Sequence, residues 1–264
     1  MGSRVLGVDF SGADDAGRAI WLTEARHTGT GLIVEDCYRA ADEWGADRER
    51  AHAGVRRRAT DGFAVVGFDF PFSLPQALLD EHCGRTWRGL VDWVTGDGPD
   101  DPDVFASTCR STARGYTGDG TAALRRETDL RRAALCPYGT RVQYQTFYGV
   151  RNVLAGLADE SDVAVAPMQS VESGADATRV VEVYPAATFG WLGLYREGYK
   201  GEHRERRATN LEGIEACSVD VGEFRETYEA SHDALDSLAA AVSAGRVEAD
   251  PPRHGPREEG HIYV

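Results

Sequence analysis

Lysine is nearly missing from this 264-residue chain: Lys200 is the single lysine among 29 basic residues. Arginine carries the remaining positive charge and is outnumbered, because 43 acidic residues leave a formal net charge of -14. Long apolar runs are missing too. No stretch approaches the roughly 20 apolar residues that a bilayer-crossing helix needs. The N-terminal MGSRVLGVDFSG has only a short apolar run before a turn, unlike a secretory leader. The cytoplasm is the expected compartment, and no membrane partner is expected. Cysteine pairing is also lacking. Cys37, Cys83, Cys109, Cys136 and Cys217 include no C-x-x-C pair, and their odd number argues against a disulfide framework. His82-Cys83 with Cys109 and Cys136 offers zinc-ligating atoms without the paired ligand turns of a recognisable zinc site. Buried, reduced thiols are the expectation. No internal repeat is visible.

An acidic surface with arginine in place of lysine fits a halophilic-type composition, suited to a salt-rich cytoplasm. Net acidity opposes nucleic-acid binding, which draws on clustered Lys and Arg. At about 1 M salt the Debye length shrinks to about 3 Å, so local contacts rather than the distant acidic surface would then decide.

The length suits one domain, 1–264, with an elaborated insertion. RVLGVD at 4–9 is a short apolar run ending at Asp9, followed by a glycine-bearing turn, and reads as a buried strand. RAIWLTE at 18–24 and GLIVEDCY at 31–38 read as two further strands in a meander. The charged, alanine-rich stretch from Asp42 to Thr60 reads as a surface helix. FAVVGFD at 63–69 is again apolar and closes on Asp69, where Pro71 and Pro75 forbid extension. The order strand, strand, strand, helix, strand predicts an α/β fold in which the fourth strand returns parallel to the first. Asp9 and Asp69 then share the carboxyl end of the sheet, where open α/β sheets bind ligands. Residues 71–176 read as a helical insertion. TRVVEVYP at 178–185 is a fifth strand and places Glu182 near its C-terminal end, while 196–230 carries no clear pattern. Ser231 caps a final helix over HDALDSLAAAVSA, stopped at Gly245, and His261-Ile262-Tyr263-Val264 packs as an edge strand or tail.

On that last helix Asp233 and Asp236 share a face, with His232 four residues from Asp236. The rest of the helix is apolar enough to be buried, where unpaired carboxylates are costly. A divalent ion held through oxygen ligands is one answer. Stabilisation by the macrodipole at the helix N-terminus is the other. The insertion contributes Glu127-Thr128-Asp129 before Arg131-Arg132, and Arg141-Val142-Gln143-Tyr144-Gln145-Thr146-Phe147-Tyr148, a cationic and aromatic mixture of the kind nucleic-acid surfaces use. The same pattern also fits a solvated arginine face over core aromatics, as do Arg56-Arg57-Arg58 and Arg204-Glu205-Arg206-Arg207.

GVDFSGA, GFDFPFSLP, ETD at 127–129, EVYPAATF followed by YK at 199–200, HDALDSLAAAVSA and EEGHIYV together resemble the family called domain of unknown function 429, in order and over nearly the whole chain. The resemblance implies a ribonuclease-H-like mixed sheet of five strands, order 3-2-1-4-5, and a predicted nuclease activity. The final helix also resembles that of the Holliday-junction resolvases, except that their strand-four glutamate is Asp69 here. By that resemblance Asp9, Asp69, Asp233 and Asp236 are the catalytic carboxylates. Asp9, Asp69 and Asp236 would hold Mg2+ or Mn2+ for two-metal hydrolysis of a nucleic-acid phosphodiester. Ser11, Glu182, His232, Glu127, Asp129 and Arg131 are the accessory candidates. Glu182 is either an accessory ligand or the partner of an insertion arginine. Two other readings stand beside this one. GVDFSGA also fits the first phosphate loop of an actin-like kinase or ATPase, and the fold also suits a non-catalytic binding module.

Overall fold

The computed structural model describes residues 2–170, 177–247 and 255–264. The apolar runs become strands β1 (Arg4–Asp9), β2 (Trp21–His27), β3 (Leu32–Arg39) and β4 (Val65–Asp69). Between β3 and β4 lie α1 (Ala40–Trp44) and α2 (Arg48–Ala59). The single helix predicted from Asp42 to Thr60 is thus two. Gly45 takes a φ of +88° that breaks it, and the Asp47 carboxylate accepts from the Arg50 N–H to start α2 afresh. The helices α3 (Gln76–His82), α4 (Trp87–Thr95), α5 (Pro102–Thr117), α6 (Glu127–Arg132), α7 (Gln143–Tyr148) and α8 (Ala155–Leu157) follow, with a π-helical stretch over Gly149–Leu154.

The insertion is not helical throughout. It ends in β5 (Val163–Ala166), and its last residues, 171–176, lie outside the described residues. Next come β6 (Thr178–Val183), α9 (Pro185–Trp191), α10 (Arg204–Glu215), β7 (Val219–Asp220), α11 (Arg225–Ala230), α12 (His232–Gly245) and β8 (Ile262–Tyr263).

The expected five-stranded sheet is an eight-stranded mixed sheet. Its order is β5-β6-β4-β1-β2-β3-β7, with β8 pairing β6. The five predicted runs stay adjacent within it, as β3-β2-β1-β4-β6. The additions to those five are β5 and β7, short strands that pairing rather than local pattern creates, and β8, which falls in the 261–264 segment expected as an edge strand or tail. β1 pairs β2 antiparallel and β4 parallel, and β4 pairs β6 parallel.

Strand alternation sends Leu6, Val8 and Phe68 to one face, where α2 and the insertion helices build an apolar core with Val55, Trp87 and Phe147. The opposite face carries Val5 beneath Leu235, Leu238 and Val242 of α12. On this second face Gly7 and Gly67 sit opposite each other in the parallel register, and Asp9 and Asp69 form the next same-face pair. The glycines let α12 settle close. A Cβ on Gly7 would lie 2.1 Å from the Ala241 nitrogen and 2.2 Å from the Ser237 carbonyl oxygen, and one on Gly67 would lie 2.9 Å from the Ala240 carbonyl oxygen. Helix backbone cannot yield as a side chain can. Gly7→Ala is therefore expected to lower unfolding free energy by about 1–3 kcal/mol, the usual cost of overpacking, and to lift α12 off the sheet. Urea denaturation would measure this, and a variant within experimental error of wild type would disprove the close-approach role.

Candidate metal centre

The close seating of α12 brings Asp236 over the ends of β1 and β4. One carboxylate oxygen from each of Asp9, Asp69 and Asp236 lies within 4.8 Å of the others. Asp236 is fully buried and Asp9 is 9% exposed. The three form the floor of a cavity of about 780 Å³, whose walls include Ser11, Arg141, Gln145, Tyr184, Arg196, Lys200 and Asp233.

Burial first pushes all three above the ordinary aspartate range, and neighbouring carboxylates add to it for Asp9 and Asp69. Asp9 is raised by burial and by Asp236, Asp69 and Asp233. Asp69 is pushed up to about 7 by burial and Asp236, against the pull of Lys200. Asp236 is raised by burial despite the opposing pull of Lys200 and Tyr199. Tyr199 donates its hydroxyl to Asp236 Oδ1 at 2.8 Å, and Lys200 Nζ lies 2.7 Å from Oδ2. Three oxygen donors, desolvated and repelling one another, are a suitable donor set for a hard divalent cation. Cys83, Cys109 and Cys136 are buried free thiols, and among the described residues only the three aspartates gather closely enough for a metal.

These shifts carry a pH signature. The folded state keeps a proton on Asp69 up to about 7, whereas the unfolded chain releases it near 3.8. Between those values the native state binds the extra proton, so stability from this group falls as pH rises through the window and levels off above it. His52, lowered to about 4 by burial, pulls the opposite way. The comparison with Asp69→Asn isolates the aspartate. In chelator, the melting temperature of that variant relative to wild type is expected to climb as pH rises from 5 to about 7. A flat difference would contradict the assigned shift.

The remaining candidates separate by position. Asp233, with His232 Nε2 3.1 Å from its Oδ1, lines the cavity and lies near enough to Asp9 and Asp236 to raise both. The Ser231 hydroxyl accepts from the Ala234 N–H and caps α12 just ahead of both aspartates. Ser11 lines the cavity while its carbonyl accepts from His52 Nε2 at 2.8 Å. Glu182, one strand beyond Asp69, faces Arg126. Its Oε1 lies 2.5 Å from Arg126 Nη2, and its Oε2 accepts from Arg126 Nη1 at 2.7 Å and from the Phe72 N–H at 2.9 Å. Asp129 takes the other side of the same buried guanidinium, at 2.6 and 3.0 Å. Both carboxylates thereby share one arginine as their counter-charge. Glu127 and Arg131 pair with each other at 3.0 Å outside the cavity lining.

Three residues that act on the site were not singled out from sequence as functional. They are Tyr199 and Lys200 on Asp236, and Arg126 behind Asp69. The YK pair was visible as part of a motif, but its target lies 36 residues further along the chain. Arg207, expected on a solvated face, is 4% exposed and donates to the carbonyls of Tyr199, Gly201 and Glu229. Phe147 is core, Tyr144 is 40% exposed, and Arg48 stacks over Tyr148. Among the described residues no helix is long and apolar enough to cross a membrane.

The family model described as "Protein of unknown function (DUF429)" matches residues 7–259, and the chain belongs to that family. No curated protein and no solved structure matches it significantly.

Proposed function

We propose that this member of the DUF429 family is a magnesium- or manganese-dependent phosphodiesterase of ribonuclease-H-like architecture, acting on nucleic acid. The observation that carries the reading is the convergence of Asp9, Asp69 and Asp236, with oxygens within 4.8 Å of one another, on the floor of an open cavity. The arrangement of an antiparallel β1-β2-β3 start, a parallel β4 and a late acidic helix supports the architecture.

Divalent ions, when bound, supply Lewis acidity at a phosphoryl oxygen and lower the pKa of a water. Asp9, at the end of β1, would hold the ion in common with Asp69 and Asp236. Tyr199 fixes the rotamer of Asp236 through Oδ1. Asp233 and His232 have side chains about one-third exposed and are placed to orient a water or carry its proton. Arg141 and Arg196 bring positive charge to the walls of an otherwise acidic site, where an anionic backbone would lie.

The phosphate-loop reading finds less support. A Cβ on Gly12 would lie 2.3 Å from the Tyr144 carbonyl oxygen, so α7 covers the turn that a nucleotide phosphate would have to enter. The deciding experiment is cleavage of a panel of single-stranded, duplex, hybrid and branched DNA and RNA with Mg2+ or Mn2+ and with chelator. Metal-dependent cleavage that disappears in Asp69→Asn is the expected result. Metal binding without cleavage of any member would favour the binding-module reading, and cleavage unaffected by chelator would sink the proposal.

A further inference from the structure

A chain that makes its ion pairs almost wholly with arginine keeps its single lysine at the carboxylate cluster. The Lys200 side chain is 56% exposed along the cavity wall, yet its ammonium reaches a fully buried Asp236 oxygen at 2.7 Å. The backbone that carries it is fastened. Arg207 Nη1 donates to the carbonyls on either side of Lys200, Tyr199 at 2.9 Å and Gly201 at 2.7 Å. Gly198 and Gly201 bend the loop with φ of +72° and +70°. Tyr199 packs edge-on against Phe189, with ring centroids 5.0 Å apart. The loop is fixed, while the lysine side chain that it carries is more than half exposed.

The choice of cation has a physical meaning. A guanidinium holds carboxylates through a rigid fork with several donors, as Arg126 holds Glu182 and Asp129 in the adjoining interior. An ammonium on a four-carbon stem is a compact point charge, here on one carboxylate oxygen and 5.8 Å from the centroid of the Tyr199 ring, without the fork that fixes a guanidinium. Arginine thus serves the pair that must persist, and lysine stands on Asp236 Oδ2, the oxygen that Tyr199 does not engage.

We propose that Lys200 is a tethered counter-ion of this site: it neutralises Asp236 in the metal-free protein, yields that oxygen to an incoming divalent ion, and turns into the cavity to face the anionic substrate. The exchange is cation for cation and makes no covalent bond. It rests on the reading that the triad binds metal, and it adds a competitor that lowers metal affinity while guarding the empty site against its own repulsion.

Two measurements test it. Calorimetric titration with Mn2+ is expected to show about tenfold or tighter binding by Lys200→Met than by wild type, because the competing charge is gone. Wild type that binds Mn2+ beside a variant that binds equally or more weakly would overturn the counter-ion role and leave the metal reading intact. No Mn2+ binding by either protein would overturn both.

The second measurement needs no variant. As the sole lysine, Lys200 reports on itself in acylation by an amine-selective reagent, followed by mass spectrometry of its one peptide. Saturating Mg2+ at constant pH should raise its labelling rate several-fold by releasing it from Asp236. An unchanged or slower rate would refute the displacement.

Discussion

Asp9→Asn is expected to yield a protein that is more stable than wild type without metal and inactive with it. Asp9 lies in the middle of the negative charge: burial, Asp236, Asp69 and Asp233 all oppose its ionisation, and Lys200 alone among its main influences favours it. The amide is nearly isosteric and removes one of the three repelling charges without opening a cavity. A gain of about 1–2 kcal/mol is of the size found when strained functional sites are relaxed. At roughly 2–4 °C per kcal/mol for a domain of this length, the melting temperature should rise by several degrees. The difference should grow as pH rises, because burial and the neighbouring carboxylates oppose ionisation of Asp9 and the amide carries no charge to oppose.

Activity should move the other way. A neutral amide oxygen is a poorer ligand for a hard cation, and losing one of the three clustered carboxylates should lower metal-dependent cleavage by about 10³-fold or more, equivalent to about 4 kcal/mol of transition-state stabilisation. Thermal melts in chelator and in Mn2+, beside the cleavage assay, separate the two effects. A variant less stable than wild type in chelator would show that the cluster is not held against its own repulsion.

Arg126→Met is expected to be the most damaging single change to folding. The guanidinium is fully buried and meets Glu182, Asp129 and the Glu259 carbonyl. Through them it joins β6, the insertion and the C-terminal segment, and Glu182 extends the link to the Phe72 N–H just past β4. Removing it strands two carboxylates in the interior. Breaking one partner of a buried ion pair typically costs about 3–5 kcal/mol. Glu182 pairs in register with Phe68, beside Asp69, and its charge already works against ionisation of Asp69. Once unpaired, it would weigh on the aspartate cluster more heavily. The triple change Arg126→Met, Glu182→Gln, Asp129→Asn should recover most of the loss, because it removes the stranded charges themselves. Urea denaturation of the single and triple variants decides the matter. A single-variant loss below about 1 kcal/mol would mean that water reaches the site and the charges are not stranded.

What could be read from the chain alone was local. The apolar runs ending at Asp9 and Asp69, the prolines that stop β4, the Ser231 cap and the shared face of Asp233 and Asp236 all follow from periodicity and end signals over a few residues. They were enough to bring the correct strand ends and the correct helix face to one place. The glycines two positions before each strand aspartate were in view as well, although their purpose became plain only with the Ala241 and Ser237 backbone lying against Gly7.

The rest depended on partners distant in sequence. The strands β5 and β7 are too short to show an alternating pattern, and exist because β6 and β3 offer edges to pair with. Whether Glu182 faced a metal or an arginine was decided by Arg126, 56 residues earlier. The fate of Asp236 was decided by Tyr199 and Lys200, held on a loop by Arg207. The sequence by itself named the carboxylates, because strand ends and helix faces are local properties of the backbone. Only the tertiary structure assigned their counter-charges, because burial turns a distant arginine or lysine into the group that decides which carboxylates stay open to a metal.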